Sequence, residues 1–468
     1  MERQYSHSLD RRRLLKLGTA GVLCAPLAPA MAQERAAQNG AASPWDRVPE
    51  ILRRIKAPDF ADRDFVITAY GAAADSDCTK AFADAIAACN AAGGGRVVVP
   101  SGSWLTGAIH LKSNVNLHVS EGAVVKFSAD PNQYPIVRTY WEGNELMNVS
   151  PFIYAFGQDN IAITGKGTLD GQADEKHWWD WRLPAFTSGS RKRLQAMGED
   201  NTPLEKRVFG AGDFLRPNFI QPFLCNNVLI EGITLLRSPM WQIHPVRCRN
   251  VIVRGVTMEA TGPNTDGCNP ESCIDVLIED CNFNCGDDCI AIKSGRNGDG
   301  RRVAVPTENV VIRRCSMKNG HGGVTLGSEI SGGVRYVFAE DCTMDSPQLD
   351  HAIRFKNNAL RGGVLEHIYC RRIKVGRVGI ALLNIDFNYE EGARGAFTPV
   401  LRDVVLENIT GSAVEQVAHV LGLPNAPVGN IVIRNSSFSG VRKRSVVNYV
   451  NRLALENVRV NGAVVSAL

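Results

Sequence analysis

A short unit recurs along the chain from residue 112 onward, and it constrains the fold more than any other feature of the sequence. Each copy starts with a polar residue, usually Asn or Asp, and continues with three residues of which the first and third are apolar. The clearest copies begin at Asn160, Asn227, Asn250, Asp275, Asn309, Asp403, Asn430 and Arg452. Strands this short cannot bury their apolar side alone, so the repeat predicts a solenoid in which neighbouring copies stack.

The kind of solenoid follows from the residue types and the spacing. Short β-branched strands separated by Asn, Asp and Gly corners are typical of a right-handed parallel β-helix, and we predict this all-β fold for residues 61–468. A β-propeller or a β-sandwich is the alternative. A propeller needs four-stranded blades of similar size, whereas the units here are separated by about 22 to 36 residues.

The segment before the repeat predicts a cap for the open end of the coil. Residues 65–68 and 96–100 have the composition of short strands. Between them, residues 79–90 have the apolar spacing of an amphipathic helix. The shared apolar face consists of Phe82, Ala85, Ile86 and Cys89. A capping helix there would cover core side chains and unpaired strand edges.

Residues 1–32 have the pattern of a bacterial export signal. Arginines at 11–13 are followed by Leu-Leu-Lys, an apolar run to about residue 28 and Ala-Met-Ala at 30–32. This pattern is typical of a twin-arginine signal cleaved after Ala32, although Asp10 stands where Ser or Thr is usual. The run is short and broken by Gly and Pro, which disfavours a membrane anchor. We expect an exported protein, periplasmic or secreted, with residues 33–60 as a tether.

The charge balance argues against nucleic acid as a partner. The formal net charge is +4, but residues 1–32 alone contain five basic and two acidic side chains. The remainder is therefore nearly neutral and has no basic excess for a phosphate backbone. After removal of the signal we expect no membrane partner, and we expect a monomer.

Twelve cysteines remain if Cys24 is removed with the signal. Cys281, Cys315 and Cys342 each follow an equivalent strand residue by five positions, which predicts a column of small inward side chains. Stacked parallel strands hold such side chains about 4.8 Å apart and pointing the same way, which suits disulfide geometry poorly. We therefore predict mostly buried free thiols, and no metal site, because the chain has no CxxC pair.

Four polar clusters interrupt the apolar rhythm in the second half of the chain. They are Asn-Thr-Asp-Gly at 264–267, Gly-Asp-Asp-Cys at 286–289, Gly-His-Gly at 320–322 and Arg-Phe-Lys at 354–356. Each follows one repeat unit, so stacking would place all four on one side of consecutive coils, over about 15 Å at about 4.8 Å per coil. Three carboxylates, an imidazole and two cations would then share one surface.

These side chains have the chemistry of a glycosidase for acidic sugars. One carboxylic acid can protonate the leaving oxygen while another activates a water, and Arg354 and Lys356 can face a substrate carboxylate together. Asp287 and Asp288 would point to opposite faces of a flat strand, so a turn or bulge must bring both into the site. Taken singly, each cluster is also compatible with a different role: a common Asn-Thr-Asp-Gly turn, a structural Gly-His-Gly, or a Ca²⁺ site at the two aspartates.

In this order, the motifs Asn-Thr-Asp, Asp-Asp, Gly-His-Gly and Arg-x-Lys resemble those of glycoside hydrolase family 28, the polygalacturonases. The resemblance covers the chain after the signal and is strongest from about residue 261 to 363. It implies inverting hydrolysis of α-1,4-linked galacturonic acid, without a cofactor. It also implies Asp287 as the general acid, Asp266 and Asp288 as the residues that hold and activate the water, and His321 as the group that influences protonation of the acid.

The resemblance further implies a grip on the galacturonate carboxylate. Phe355 replaces the isoleucine that is usual in the family, and its side chain should point away from the cleft. The predicted substrate-binding residues are Arg354, Lys356, Asn264, Tyr389 and Lys293. The expected partner is a pectic polysaccharide or oligogalacturonide, with related pectins such as rhamnogalacturonan left open.

Two other functions stay open at this stage. A polysaccharide lyase on the same kind of coil would abstract a proton next to a uronate carboxylate with Ca²⁺ and an Arg or Lys base, and a non-catalytic β-helix would only bind pectin. Within the hydrolase hypothesis we predict exo action, because residues 172–222 break the repeat and could wall off one end of the cleft. The tryptophans of this insertion either line that cleft or pin the insertion to the coil.

Overall fold

Three ladders of parallel strands run along the coil, in a computed structural model that describes residues 43–74 and 76–468. Trp45–Leu468 form one compact unit. The predicted parallel β-helix is confirmed, because each strand pairs with the strand one coil before it and with the strand one coil after it. The predicted export signal and the first part of the predicted tether lie outside the described residues.

The first ladder contains the strands of the repeat unit. Its strands are Asp64–Val66, Gly95–Val99, Val115–Val119, Asp159–Gly165, Asn226–Glu231, Arg249–Arg254, Ile274–Glu279, Thr307–Arg313, Val334–Glu340, Val364–Arg371, Val400–Glu407, Val428–Phe438 and Val450–Val460. The second ladder consists of Gly102–Thr106, Ala123–Phe127, Thr168–Asp170, Thr234–Leu236, Thr257–Ala260, Asn282–Cys285, Ser316–Leu326, Thr343–Met344, Lys374–Val378 and Thr410–Val414. Val428–Phe438 is long enough to extend into this second ladder as well.

The polar clusters lie in the strands of the third ladder or just before them. The strands of this ladder are Ile109–His110, Ile153–Phe156, Ile220–Phe223, Ile290–Ile292, Leu349–Lys356, Ala381–Asp386, Ala418–Leu421 and Val446–Asn448. Ser316–Leu326 bends from the second ladder into the third, and isolated bridges through Ile243 and Cys268 join Ile220 to Ile290. Ile136–Trp141 pairs with Asn144–Val149 as an antiparallel hairpin, and Ala463–Val465 folds back on the last strand of the first ladder.

The described residues include four α-helices. They are α1 (Arg47–Arg54), α2 (Thr79–Ala91), α3 (Pro184–Glu199) and α4 (Asn297–Val303). The 3₁₀ turns are Pro44–Asp46, Ile67–Tyr70, Pro131–Gln133, Trp179–Arg182, Leu204–Lys206 and Ala211–Asp213. None of the helices in the described part of the chain is long and apolar enough to cross a membrane.

The backbone conformation explains why a polar residue opens each repeat unit. Six of these residues have a left-handed backbone, with φ between 54° and 61°. They are Asn160, Asn227, Asn250, Asp275, Asn309 and Asp403. Asn and Asp tolerate this region better than other L-residues. Their amides also stack, since Asn250 Nδ2 donates to Asn227 Oδ1 at 2.7 Å, so the unit fixes both the corner and the register.

The apolar residue that follows this corner builds the interior. The in-register stack on the first ladder is Val228, Val251, Val276, Val310, Val337, Ile368, Val404 and Ile431. All eight side chains are buried, and burial of each stabilises the fold by about 1.5–3 kcal/mol. The predicted buried free thiols are confirmed as well, because the twelve described cysteines are all buried and free.

Helix α2 lies where the sequence predicts the cap. Its buried side chains include Phe82, Ala85, Ile86 and Cys89, which belong to the same core cluster as the first strands of the coil. Burial raises the pKa of the Cys89 thiol to about 11, so this thiol stays neutral at ordinary pH. The helix therefore continues the core at the end of the coil instead of leaving it exposed.

The predicted tether is wrong for its described part, residues 43–60. Helix α1 packs on the outer face of the first ladder, where the Trp45 ring lies 5.4 Å from that of Phe338 and Arg54 pairs with Asp275 at 2.6 Å. The covered outward side chains are Ala162, Leu229, Ile252, Leu277, Val311, Phe338 and Tyr369. These outward side chains stand at the middle of the three residues that follow each polar corner. They are apolar because α1 buries several of them.

The insertion at residues 172–222 is a folded element fastened to the coil. Trp178 is buried in the main core, and Trp179 Nε1 donates to the carbonyl oxygen of Ser238 at 3.0 Å. A Cβ at Gly262 would lie 2.2 Å from the Trp179 ring, so only glycine permits this contact. Of the two roles considered for the tryptophans, these contacts support pinning.

Candidate active site

Three aspartates meet on the third ladder, just before its strands begin. Asp287 and Asp288 precede the strand Ile290–Ile292, and Asp266 lies one coil earlier, two residues before the bridging Cys268. One oxygen from each of the three carboxylates lies within 4.8 Å of the others. Both Asp287 and Asp288 reach the site because the chain turns at Gly286, where a Cβ would lie 1.9 Å from a carbonyl oxygen of the previous coil. The turn that the sequence required is present.

Asp288 is held by the two cations of the Arg-x-Lys motif. Its side chain is fully buried, Lys356 Nζ lies 2.6 Å from Oδ2, and Arg354 lies 3.4 Å from Oδ1. Thr325 Oγ1 donates to the same Oδ1 at 2.9 Å. Phe355 points into the core as predicted. Arg354 and Lys356 therefore both face the aspartates. The Lys356 ammonium is already paired with Asp288.

Asp287 forms a pair with His321. His321 Nδ1 lies 3.1 Å from Asp287 Oδ1, and the imidazole is half exposed. The hydrogen bond to Asp287 raises the pKa of His321 to about 9. Burial favours the neutral form of Asp287, but the bond from His321 and the charge of Lys356 lower its pKa below the ordinary value. The pair thus retains one proton between carboxylate and imidazole across neutral pH.

Asp266 has the opposite electrostatic environment. It is buried, it accepts from Asn269 Nδ2 at 3.0 Å, and the ammonium of Lys293 is 3.9 Å away. Burial, followed by the charge of Asp287, raises the pKa of Asp266 well above its ordinary value. Two neighbouring carboxyls whose pKa values are pushed apart are the arrangement that acid–base catalysis requires.

Asn264 lies at the site, and behind it is a residue that sequence reasoning missed. Asn264 Nδ2 donates to Asp287 Oδ2 at 3.3 Å, and its own Oδ1 accepts from Arg216 at 2.6 Å. The buried guanidinium of Arg216 also donates to the carbonyl oxygens of Pro239 and Pro263. Burial lowers the pKa of Arg216 to about 10. Arg216 belongs to the aperiodic insertion, so no repeat aligned it with the motifs.

Lys293 was predicted as a substrate ligand, and its position does not fit that role. Only 3% of its side chain is exposed, and its ammonium donates to Glu329 Oε2 at 2.8 Å and to the carbonyl oxygen of Gly327 at 3.2 Å. It also lies 4.3 Å from the centre of the Trp241 ring. We therefore assign Lys293 to the layer beneath the site, where its charge acts on Asp266.

Tyr389 lies beside the cations, as the sequence suggests. The centre of its half-buried ring is 5.7 Å from the Arg354 guanidinium carbon and 5.3 Å from Lys356 Nζ. The tyrosine reaches this position because it follows the strand Ala381–Asp386, the next strand of the third ladder after Leu349–Lys356. The structure thus brings every predicted site residue together, with Lys293 underneath.

We expect His321 to titrate with a pKa of about 9 in the native protein and to return toward about 6.5 in the Asp287→Asn variant. Because the folded pKa is the higher one, the pair stabilises the fold fully below about pH 6.5, and this contribution is lost as pH rises through about 9. NMR of the imidazole resonances measures both values. His118, outside the site, should titrate alike in both proteins, and an unchanged His321 would contradict the pairing.

The sequence and the fold are similar to those of known polygalacturonases. Residues 211–459 match the sequence profile of Glycosyl hydrolases family 28. A probable polygalacturonase of Vitis vinifera is 32% identical over 76% of this chain and 70% of its own length, and an exopolygalacturonase of Zea mays is 26% identical over 82% and 85%. The solved structure of a hyperthermoactive exopolygalacturonase from Thermotoga maritima is 40% identical, covers 89% of this chain and 96% of its own, and superposes with a TM-score of 0.85. The chain belongs to glycosyl hydrolase family 28.

Proposed function

We propose that the protein hydrolyses the α-1,4-galacturonosyl bonds of pectic polygalacturonate by direct attack of water, with inversion at the anomeric carbon. The observation that carries the proposal is a single site with three clustered carboxylates, a histidine paired with one of them and two cations facing them. The names of the relatives support polygalacturonate as the substrate class.

Asp287 is the proposed general acid. The proton of the Asp287–His321 pair passes from the carboxyl to the glycosidic oxygen, the bond to the anomeric carbon breaks, and the leaving sugar departs as an alcohol. A water held by Asp266 and Asp288 attacks that carbon from the opposite side, and Asp288 takes its proton. Exchange with solvent then removes the proton from Asp288 and returns one to the Asp287–His321 pair. Within the bond-breaking step, the chain's own carboxylates and imidazole supply both proton transfers.

The short separation of the carboxylates also fits a second mechanism, hydrolysis with retention. Oxygens within 4.8 Å are closer than the about 6.5–9.5 Å of typical inverting enzymes and near the about 5 Å of retaining ones. A retaining enzyme needs a carboxylate that touches the anomeric carbon. Asp288 is fully buried and tied to Lys356, and Asp266 is 4% exposed. Both carboxylates lie too deep to touch the anomeric carbon themselves, whereas a water between them and the substrate would bridge that distance, so water attack is the better account.

The anomeric configuration of the first product separates these mechanisms. Proton NMR during the first minutes of hydrolysis of trigalacturonate should detect the β-anomer, formed before mutarotation equilibrates the product. Initial α-anomer would mean retention and would overturn the water mechanism. Galacturonate dissolved at the same pH provides the mutarotation rate as a control.

Arg354 is the proposed direct ligand of the substrate carboxylate. Its contact with Asp288 is long, 3.4 Å, and its Nε is buried without a hydrogen-bond partner among the described residues. A guanidinium with an unpaired N–H can donate two parallel hydrogen bonds to a substrate carboxylate. Lys356, held at 2.6 Å by Asp288, contributes charge, and Tyr389 provides a wall beside both.

Exo action is the proposed mode. The insertion is fastened across the coil, because the Gly298 amide donates to Glu199 Oε1 at 2.9 Å and Arg191 pairs with Glu142 at 2.7 Å. Arg191 also lies 3.7 Å from Glu390, the residue after Tyr389. A folded wall so close to the substrate-binding tyrosine supports a cleft closed at one end. We also propose export, on the basis of the twin-arginine pattern in residues 1–32.

A reducing-end assay on polygalacturonate with EDTA present tests the function, with the Asp287→Asn protein as the blank. We expect galacturonate or digalacturonate as the first products, resolved by chromatography. Longer mixed oligomers would contradict exo action. Unsaturated products that absorb in the ultraviolet, or loss of activity with EDTA, would favour a lyase, and pectin binding without new reducing ends would favour a non-catalytic protein.

A further inference from the structure

A lysine ammonium lies behind Asp266 without bonding to it. Lys293 Nζ is 3.9 Å from Asp266 Oδ2, beyond the range of a hydrogen bond. Within the described chain, its hydrogen bonds go instead to Glu329 Oε2 at 2.8 Å and to the carbonyl oxygen of Gly327 at 3.2 Å. The Trp241 ring, with its centre 4.3 Å away, is a further cation–π partner. Lys293 is therefore anchored elsewhere, and Asp266 feels its charge only through space.

Glu329 is the charged anchor of that ammonium. Only 6% of its side chain is exposed. Burial alone would favour its neutral form, but the charges of Lys293 and Arg296 lower its pKa well below the ordinary value, so it remains ionised. Without the charge of Glu329, Arg296 would keep two further carboxylate partners, at 3.2 and 3.3 Å. Lys293 would keep one carboxylate within 4 Å among the described residues, and that carboxylate is Asp266.

The coil fixes Glu329 in place. It lies in the loop after the strand Ser316–Leu326, one coil beyond Lys293. The carbonyl oxygen of Glu329 accepts from the Ser294 amide at 2.6 Å. A Cβ at Gly143, at the tip of the antiparallel hairpin, would lie 2.9 Å from the Glu329 side chain, so the hairpin packs directly against it. Glu329 thus holds the ammonium from a fixed position.

We propose that Glu329 is a positioning residue for hydrolysis: it holds the Lys293 ammonium short of Asp266 and so leaves that carboxyl free to orient the attacking water. The inference rests on the proposed function for the role of Asp266. At 3.9 Å the ammonium moderates the effect of burial on the Asp266 carboxyl. In a direct ion pair, at about 2.8 Å, it would hold the carboxyl in its ionised form and compete with the water for its oxygens.

The other charges around these three groups belong to residues that variants of Glu329 and Lys293 retain. They are Asp287, Asp288 and Lys356 at Asp266, Arg296 and Arg361 at Glu329, and the buried His244 with its partner Glu271 near Lys293. A change in the titration of Asp266 in such variants can therefore be assigned to the ammonium.

The titration of Asp266 tests this role without any measurement of activity. Its carboxyl resonance, in protein with 13C-labelled aspartate, is identified as the one missing from the Asp266→Asn variant. In Glu329→Gln the released ammonium approaches Asp266, and we expect the pKa of Asp266 to fall by about one unit. In Lys293→Met the cation is lost, and the pKa of Asp266 should rise by a similar amount. Structural damage alone would not produce shifts of opposite sign.

Two further variants keep the test decisive. Glu366→Gln is the matched control, because it removes the same charge from an outward pair with Arg402 at 2.6 Å on the first ladder, and it should leave the Asp266 titration unchanged. Lys293→Met/Glu329→Gln removes both buried charges, so it avoids the unpaired charge that can unfold a single variant. We expect the pKa of Asp266 to rise in this double variant, as in Lys293→Met.

The pH profile of kcat/KM on trigalacturonate connects the titration to hydrolysis. One limb should move to lower pH in Glu329→Gln and to higher pH in Lys293→Met, with the other limb unmoved. A pKa of Asp266 that is equal in these variants and in Glu366→Gln, or that shifts in the same direction in both, would overturn the role of Glu329 and leave the hydrolase intact. Opposite shifts in a protein that hydrolyses nothing would keep the electrostatic pairing and remove the proposed function.

Discussion

Replacement of Asp287 by asparagine is expected to lower kcat on polygalacturonate by about 10²–10⁴-fold, the usual contribution of a positioned general acid. The amide keeps the volume of the side chain and can still contact Asn264, which lies 3.3 Å from Oδ2. It cannot, however, deliver a proton to the leaving oxygen. Because that transfer occurs only in the transition state, kcat and kcat/KM should fall together while KM changes little. Steady-state kinetics with a thermal melt of the same sample measure both effects.

The matched control for this variant is Asp280→Asn, in the same coil. Asp280 is exposed, pairs with Arg314 at 2.7 Å and lies outside the group of three catalytic-site aspartates. The activity of the Asp280→Asn protein should therefore stay within twofold of the wild type, as for most surface substitutions. The competing acid is Asp266, whose pKa burial raises well above the ordinary value. A result in which Asp266→Asn abolishes hydrolysis while Asp287→Asn keeps more than a tenth of it would exchange the two roles.

The fold was predictable from the sequence because its determinants are local. An Asn or Asp in the left-handed region followed by inward apolar residues recurs in six of the described coils, and Asn227 and Asn250 are examples whose amides bond to each other. The same position is occupied by Tyr336 and His367 in two coils, also with positive φ. The unit therefore survives where its marker residue changes, because the apolar residue that follows the corner still fills the core.

The site was predictable in composition but not in its pairing. Spacing along the repeat placed Asp266, Asp287 and His321 on adjacent coils, because each cluster follows a unit by a similar number of residues. Spacing carries no information on the aperiodic insertion, so Arg216 was missed. It also cannot distinguish a side chain that faces the cleft from one beneath it, and for that reason Lys293 was placed at the substrate.

Lys356→Met is expected to lower the free energy of unfolding by about 3–5 kcal/mol, the usual result of breaking a buried ion pair. Lys356 Nζ lies 2.6 Å from Asp288 Oδ2, and the exposed fractions of the two side chains are 7% and 0%. Without the ammonium, Asp288 keeps only the longer contact with Arg354 and the bond from Thr325. Urea unfolding at neutral pH measures the loss, and hydrolysis should fall as well because Asp288 loses its orientation.

A double variant identifies the uncompensated charge as the cause. Adding Asp288→Asn to Lys356→Met removes the charge that was left unpaired, so the double variant should recover part of the lost stability while remaining inactive. Lys374→Met, at an exposed lysine of the second ladder, should change stability by no more than about 0.5 kcal/mol. If Lys356→Met unfolded like Lys374→Met, the charge of Asp288 would be balanced elsewhere, and the same ammonium would be free to bind substrate directly.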